Sequence, residues 1–392
     1  MIYFIFILLM IYVIVLLLRF IFTCTYYKRE TVKEKNIKKE NRLSLKEVTI
    51  FQPVLSGDSY LKEKLSVIYN TIKEAELIWA VDEDDREAER IISEITGNNP
   101  KKNLHVIKCE RAPFYENPKV YKIIQTEKLW RKYVVILDDD TVVNTEELEN
   151  IDKKLLETSI VTGIPYYLKA GNIWGDMVRA YVNSNSVYNY FTCAFLGGNR
   201  TVNGMFYIFK SEKVISLKLY QKIRQKLCDD YEFAKIAAEN GIKVYQSVIP
   251  CKLNTEIKDL RTFLKLMRRW HVFANHYIKE NLDMGIFIFS IIPFISGSLF
   301  FICSLIYSYK IFLIYIGISI LNFLAGKVLK KRLFQEKDRI KDMVLEIISG
   351  IVQIFYWFLA LIKPGEIIWR GKSVVIKDGI IEVNFDGKED KG

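Results

Sequence analysis

Arg131 to Thr141, reading RKYVVILDDDT, is the stretch from which the rest of the chain can be interpreted. An apolar run of strand length, Tyr133 to Leu137, ends in three consecutive carboxylates. Strands of α/β proteins carry their last residues to a rim where ligands collect. In an extended segment alternate side chains share a face, so Asp138 and Asp140, which flank Asp139, are expected to point together at one hard divalent cation such as Mg or Mn. Such a cation would hold a diphosphate. The competing explanation is a solvated turn whose acids cap the next helix. Asn144, with Glu147 three residues on, already supplies that cap, which leaves the aspartates spare.

The 392 residues suffice for one sizeable soluble core plus membrane segments, and the composition, half hydrophobic, is distributed unevenly. Met1 to Phe22 is almost wholly apolar and long enough to span a bilayer. It has neither a preceding basic region nor a small-residue cleavage pattern, and is read as an uncleaved anchor, with Arg19 near its end reaching for the interface. Six scattered cysteines lack paired spacing, consistent with reduced thiols. The net charge of +11 clusters beside apolar segments, as positive-inside topology requires, and no nucleic-acid motif accompanies it.

After the anchor, Lys28 to Lys46 reads as a basic cytoplasmic linker. Strands are expected at Val48–Pro53, Leu77–Val81, Leu104–Lys108 and Tyr133–Leu137, alternating with helices that carry Leu61, Leu65, Ile68 and Ile72, or Ala88, Ile91, Ile92 and Ile95, on one face. This alternation predicts a parallel, doubly wound α/β sheet covered on both faces. Asp84 with Glu87 makes a capping pair, which leaves Asp82 at a strand end, where a carboxylate can accept hydrogen bonds from a base or ribose.

Lys119 follows Asn117-Pro118; it is a candidate phosphate contact or an ordinary surface lysine. Beyond the aspartates a helix is expected through Leu148, Ile151 and Leu155, then a strand at Ser159–Pro165. Residues 174–203, rich in Tyr and Asn, suit a packed connection or an acceptor-facing surface. Gly204 begins a further strand region, where it marks either a close backbone approach or a simple turn. Asp229 with Glu232 can cap the helix that stops at Gly241, which frees Asp230 to act as a general base kept ionised by the helix N-terminus. Arg261 to Ile278 is a basic, aromatic, amphipathic segment suited to the headgroup region. His271 and His276 are not at the spacing of a helical zinc pair.

Taken in order, Asp82, Asp138 to Asp140, Asp229-Asp230-Tyr231 and Arg269-Trp270 resemble the motif series of membrane-acting inverting GT-A glycosyltransferases, most closely the ceramide glucosyltransferase family. The Pro53 to Asp58 loop, Asn117-Pro118-Lys119, Gly163 to Tyr166 and Asn203-Gly204-Met205 add to the likeness, which runs from Val48 to about Trp270. Two positions depart from the pattern: Leu266 stands where (Q/R)xxRW has its polar residue, and Ser186 where the family has a histidine. The resemblance implies a GT-A catalytic domain, Rossmann-like with a mostly parallel sheet. It also implies a UDP-sugar donor, glucose being the expected sugar, and a lipid acceptor such as ceramide. Asp82 would contact the uridine, Lys119 the nucleotide sugar, and Asp138 and Asp140 the donor through Mg or Mn. Asp230 would be the base, with Gly204, Arg269 and Trp270 on the acceptor or site-closing side.

Met284 to Ser308 and Ile311 to Gly326 read as a membrane hairpin, followed by the basic run Lys327, Lys330, Lys331 and Arg332 that marks a cytoplasmic side. Ile347 to Ile362 is short and can span or lie in the interface. The expected layout is an anchor at 1–24, a linker at 25–47, a catalytic domain at 48–260, an interfacial segment at 261–283, membrane segments at 284–363 and a tail at 364–392 containing a small hairpin. Partners are the bilayer, the donor and the lipid, with no nucleic acid, and the catalytic domain faces the cytoplasm. The alternatives are a processive polysaccharide synthase and a non-catalytic protein that binds a nucleotide sugar.

Overall fold

The computed structural model describes residues 2–97, 100–336 and 339–362, together with the backbone of 366–369, 372–377 and 380–383. The chain forms two compact units. One comprises Met1–Glu30, Tyr166–Gly198 and Ile257–Pro364; the other comprises Thr31–Pro165, Asn199–Glu256 and Gly365–Gly392.

The second unit is built on strands β1 (Val48–Val54), β2 (Glu76–Asp82), β3 (Leu104–Cys109), β4 (Tyr133–Leu137), β5 (Thr141–Val142), β6 (Ser159–Tyr167), β7 (Phe206–Lys210) and β8 (Lys243–Leu253). They form one sheet in the order β3-β2-β1-β4-β7-β6-β8-β5. The first four pair in parallel, with Val54 opposite Val81 and Phe51 opposite Ile136. Every residue of β4 is buried, as a strand covered on both faces requires. Ile50, Trp79 and Val135 point into one core and Phe51, Ile78 and Ile136 into the other, the two-residue period of a strand. Past Asp140, where the regular strand–helix alternation ends, β4 pairs with β7, β7 with β6, and β5 with β8, all antiparallel. The sheet is therefore mixed, with its parallel half in the expected place.

Helices α1 (Ile2–Lys35), α2 (Leu61–Thr71), α3 (Arg86–Thr96), α4 (Pro118–Thr126) and α5 (Thr145–Leu148) precede β6. Leu61, Leu65 and Ile68 of α2 are buried, as their spacing predicts. The cap of α3 is Asp85, whose side chain accepts from the Ala88 N–H at 3.0 Å, rather than Asp84, which pairs with Arg111 at 3.2 Å. The helix expected through Leu155 is the single turn α5, capped by Asn144. Its continuation is diverted by backbone pairing with the linker: Leu43 N–H donates to Ile151 O at 3.1 Å and Lys153 N–H to Asn41 O at 2.9 Å.

The other unit contains α6 (Ile173–Phe195); the helices α7 (Ser211–Ser216), α8 (Leu219–Lys222) and α9 (Asp229–Glu239) belong with the sheet. To the helical unit also belong α10 (Leu260–Asn281), α11 (Met284–Tyr307), α12 (Tyr309–Phe334) and α13 (Ile340–Ile362). Among the described residues four helices, α1, α11, α12 and α13, are long and apolar enough to cross a membrane. At 23 residues, α13 starts seven positions before the apolar run read from sequence and reaches about 34 Å. Its first turn is tied down by Asp342, which pairs with Arg179 of α6 while both are buried.

Arg19 does not sit near a helix end. Because α1 continues to Lys35, Arg19 lies inside the unit, buried, and donates to Asn189 Oδ1 at 2.6 Å. An intramembrane cation that finds an internal partner has no need to reach the interface. Of residues 174–203, expected to be a packed connection or an acceptor-facing surface, those up to Phe195 belong to the 23-residue α6, which buries Val178, Val187 and Phe191. In the tail, β9 (Glu366–Trp369), β10 (Lys372–Lys377) and β11 (Ile380–Val383) form an antiparallel sheet in the order β11-β10-β9. These antiparallel pairings fit the expected hairpin, and the connecting residues 370–371 and 378–379 lie outside the described residues.

Candidate active site

Parallel pairing brings the C-terminal ends of β1, β2 and β4 to one edge of the sheet. Because β7 runs the other way, its N-terminal end arrives there too: Leu137 lies opposite Phe206, and Asp138 N–H donates to Met205 O at 3.1 Å. Asp82, the 138–140 aspartates and Gly204 therefore share an edge for topological reasons.

The segment Asn117-Pro118-Lys119 delivers a cation to that edge. Asn117 caps α4, accepting from the N–H groups of Lys119 (3.0 Å) and Val120 (3.4 Å), with Pro118 in the first turn. Its Nδ2 donates to Lys226 O at 3.1 Å and lies 3.4 Å from Asp229 Oδ1, which locks the start of α4 to the segment leading into α9. Lys119 Nζ then sits 2.6 Å from Asp138 Oδ1 and 3.7 Å from Asp229 Oδ2, and donates to Gly204 O at 2.7 Å. Lys119 is thus no surface lysine: its side chain is 17% exposed, and although burial works against the ammonium, Asp138 and Asp229 outweigh it and raise its pKa.

Asp230 meets the same group from α9. Its Oδ1 accepts from the Tyr231 N–H at 2.7 Å and from Cys228 Sγ at 3.1 Å. A Cβ at position 204 would fall 3.0 Å from Oδ2, so glycine there makes room for this carboxylate. Burial, then the neighbouring Asp229, push the Asp230 pKa up, against the helix N-terminus that was expected to hold it ionised. Nor do Asp229 and Glu232 cap α9: the N-cap residue is Cys228, with no side-chain cap bond, and Glu232 lies 3.8 Å from Lys226.

The three aspartates differ from the alternation expected of them. Thr141 N–H donates to Asp138 O at 3.1 Å, so residues 138–141 form a turn and not an extended continuation of β4. Asp138 turns to Lys119, and Asp139 Oδ2 accepts from the Leu55 N–H at 2.8 Å. Asp140 accepts from Thr141 Oγ1 at 2.8 Å and Thr255 Oγ1 at 3.0 Å. Burial, followed by the charge of Asp140, pushes Asp139 up to about 8; burial and Asp138 push Asp140 up to about 6. Among the described residues no three His, Cys, Asp or Glu side chains are gathered as a metal-binding group. The chemistry of the set still fits a hard divalent cation: crowded carboxylates short of positive charge, together with the buried Asp229 Oδ2, which accepts no hydrogen bond.

At the end of β2, Asp82 Oδ2 is 3.1 Å from Lys122 Nζ, a fully buried lysine that also donates to Val54 O at 2.9 Å. Arg269 and Trp270 belong to the helical unit. There Trp270 stacks on Tyr181, with ring centroids 5.8 Å apart, and meets Tyr167 edge-on at 6.2 Å. Sequence reasoning missed Asp229 as a partner of Lys119, and it missed Lys122. The signals were present: two acids remain adjacent when only one is needed as a cap, and two lysines stand three residues apart on one helical face.

Ceramide glucosyltransferase 1 of Caenorhabditis elegans is 21% identical over 228 residues, which are 57% of this chain and 48% of that protein, so the match spans about half the relative's length. Among solved structures, the mannosyltransferase PcManGT from Pyrobaculum calidifontis, in complex with GDP-Man and Mn2+, is 12% identical. It covers 89% of this chain and 99% of its own, with a TM-score of 0.45. S. aureus TarS 1-349, in complex with UDP-GlcNAc, is 14% identical and covers 88% and 98%, with a TM-score of 0.37. The family model described as Glycosyl transferase family 21 matches residues 10–381, from within α1 to the start of β11. With that match running through both units and the ordered acidic positions of its sheet, this chain belongs to glycosyl transferase family 21 and is a glycosyltransferase.

Proposed function

We propose that this enzyme transfers a sugar, glucose by the family likeness, from a UDP-sugar to the hydroxyl of ceramide or a similar lipid, with inversion, at the cytoplasmic face of a membrane. The observation that carries the reading is the meeting of Lys119, Asp138, Asp229 and Asp230 around Gly204. A single displacement needs one base and a stabilised leaving group, and this cluster offers both. The acceptor oxygen attacks the anomeric carbon, the bond from that carbon to the diphosphate oxygen breaks, and the hydroxyl proton passes to Asp230. Because Oδ1 of Asp230 already accepts two hydrogen bonds, Oδ2 is the oxygen that takes the proton. Its raised pKa suits that role better than an ordinary aspartate would.

In this reading Lys119, held by two carboxylates, receives charge developing on the diphosphate, and Asp82 meets the nucleoside. Asp138 and Asp140 would hold Mg or Mn, which when bound supplies positive charge against the diphosphate. The sequence motif alone assigns Arg269 and Trp270 to the acceptor side. Basic residues at the end of α1 and in the last turn of α12 support a cytoplasmic catalytic unit, since one crossing by α1 and two by α11 and α12 return both sets to the same side.

The test is transfer of labelled sugar by the full-length protein in lipid nanodiscs, with Mg or Mn, a panel of UDP-sugars, and ceramide or diacylglycerol as acceptor. A lipid carrying one sugar, lost on chelation and restored by the metal, is expected. Extended polymer, or no UDP release with any lipid, would contradict the reading.

A further inference from the structure

Lys122 has no part in the chemistry described above, yet it is among the most deeply buried large side chains of the sheet unit, at 2% exposure. A lysine at such depth is tolerated only when its charge is paired and its protons are used. Both conditions are met at one place: Nζ lies 3.1 Å from Asp82 Oδ2 and donates to Val54 O at 2.9 Å. These partners are the last residues of β2 and β1, whose ends are adjacent in the parallel sheet. Helix α4 thus presents two ammonium groups from one face, three residues apart. Lys119 goes to the end of β4, and Lys122 to the ends of β1 and β2.

We propose that Lys122 is a positioning residue that sets nucleobase selectivity through Asp82, by engaging Oδ2 and leaving Oδ1 as the oxygen offered to the base. The inference rests on the reading of Asp82 as the nucleoside contact. Among the described residues the contact recorded for the Asp82 carboxylate is made through Oδ2, to Lys122 at 3.1 Å. A carboxylate accepts only, and with both oxygens open it matches the two adjacent donors of guanine, N1–H and the exocyclic amine. With one oxygen taken by an ammonium, the remaining one matches a base that presents a single ring N–H between two carbonyls, as uracil does. The ion pair also fixes the carboxylate's rotation before the donor arrives, which lowers the ordering cost of binding.

The experiment measures UDP and GDP affinity, together with transfer kinetics, for the full-length protein and for Lys122→Met, Lys122→Gln, Asp82→Asn and the Lys122→Met/Asp82→Asn pair. Expected are a wild type that prefers UDP, and a Lys122→Met variant whose UDP affinity and donor KM worsen about tenfold with a narrowed UDP-to-GDP ratio. Its kcat should stay within about threefold, and Lys122→Met should add no further loss once Asp82 is Asn. Lys122→Gln keeps a donor for Val54 O and carries the test if the Met variant does not fold; the same fall in selectivity is expected of it. Unchanged UDP affinity and selectivity in either folded variant, or an equal loss with and without Asp82, would overturn the assignment while leaving the donor reading intact. A wild type that binds no nucleotide would overturn both.

Discussion

Replacing Gly204 by alanine perturbs the base by a single methyl group. The added Cβ would stand 3.0 Å from Asp230 Oδ2, 3.3 Å from its Cβ and 3.4 Å from its Cγ, so the carboxylate must retreat by a few tenths of an ångström. It cannot do so freely, because Oδ1 is fixed by the Tyr231 N–H at 2.7 Å and Cys228 Sγ at 3.1 Å. A misplacement near 1 Å costs on the order of 100-fold in rate, so this smaller one should cost about tenfold. The backbone of Gly204 is not left-handed, so alanine adds no strain of that kind. Steady-state transfer and UDP binding separate the two effects: kcat should fall about tenfold while UDP affinity changes less than threefold. Wild-type kcat in a folded Gly204→Ala protein, or a loss confined to UDP affinity, would refute the placement of Asp230.

Other outcomes follow from the same geometry. Gly163→Ala would drive a Cβ to within 2.9 Å of Ile249 O and Phe206, and closer still to Cys251 Sγ; at the usual cost of overpacking, about 1–3 kcal/mol, the melting temperature should drop by several degrees. Asp342→Ala would strand the buried Arg179, with Asp176 left at 3.7 Å, and should cost about 3–5 kcal/mol in thermal or denaturant unfolding. His271 is buried, its Nε2 has no hydrogen-bond partner among the described residues, and burial pushes its pKa from 6.5 down to about 4. Since the unfolded chain takes up the proton first, this contribution to stability is complete above about pH 6.5 and lost as pH falls towards 4, about 2 kcal/mol by pH 5. Melting curves at pH 7.5 and 5 should show that loss reduced in His271→Phe.

The parallel half of the sheet and its acidic edge were legible because apolar runs of strand length ending in acids are a local signal. Asp82 and Asp138 could be found that way, Asp230 as the acid left over at a helix start, and Lys119 through its neighbours. What escaped depends on contacts distant in sequence. Residues 138–141 turn back, and side-chain alternation cannot report a turn. The helix expected after Asn144 gives way to backbone pairing with residues 41–43, more than a hundred positions earlier. Asp229 looked like a cap because acids at helix starts commonly are caps; the missing cap bond and its 3.7 Å distance to Lys119, 110 positions earlier, show otherwise. Arg19 shows the same limit, since its partner Asn189 lies 170 residues away.

The most direct test of the proposed chemistry is Asp230→Asn, assayed for transfer of labelled sugar to lipid with UDP binding measured on the same preparation. The isosteric amide keeps the side chain's volume and an acceptor for the Tyr231 N–H but cannot take a proton. Transfer should fall by 100-fold or more, in line with the usual contribution of a general base, while UDP affinity stays within about threefold. Transfer comparable to wild type would remove Asp230 from the base role and with it the proposed mechanism.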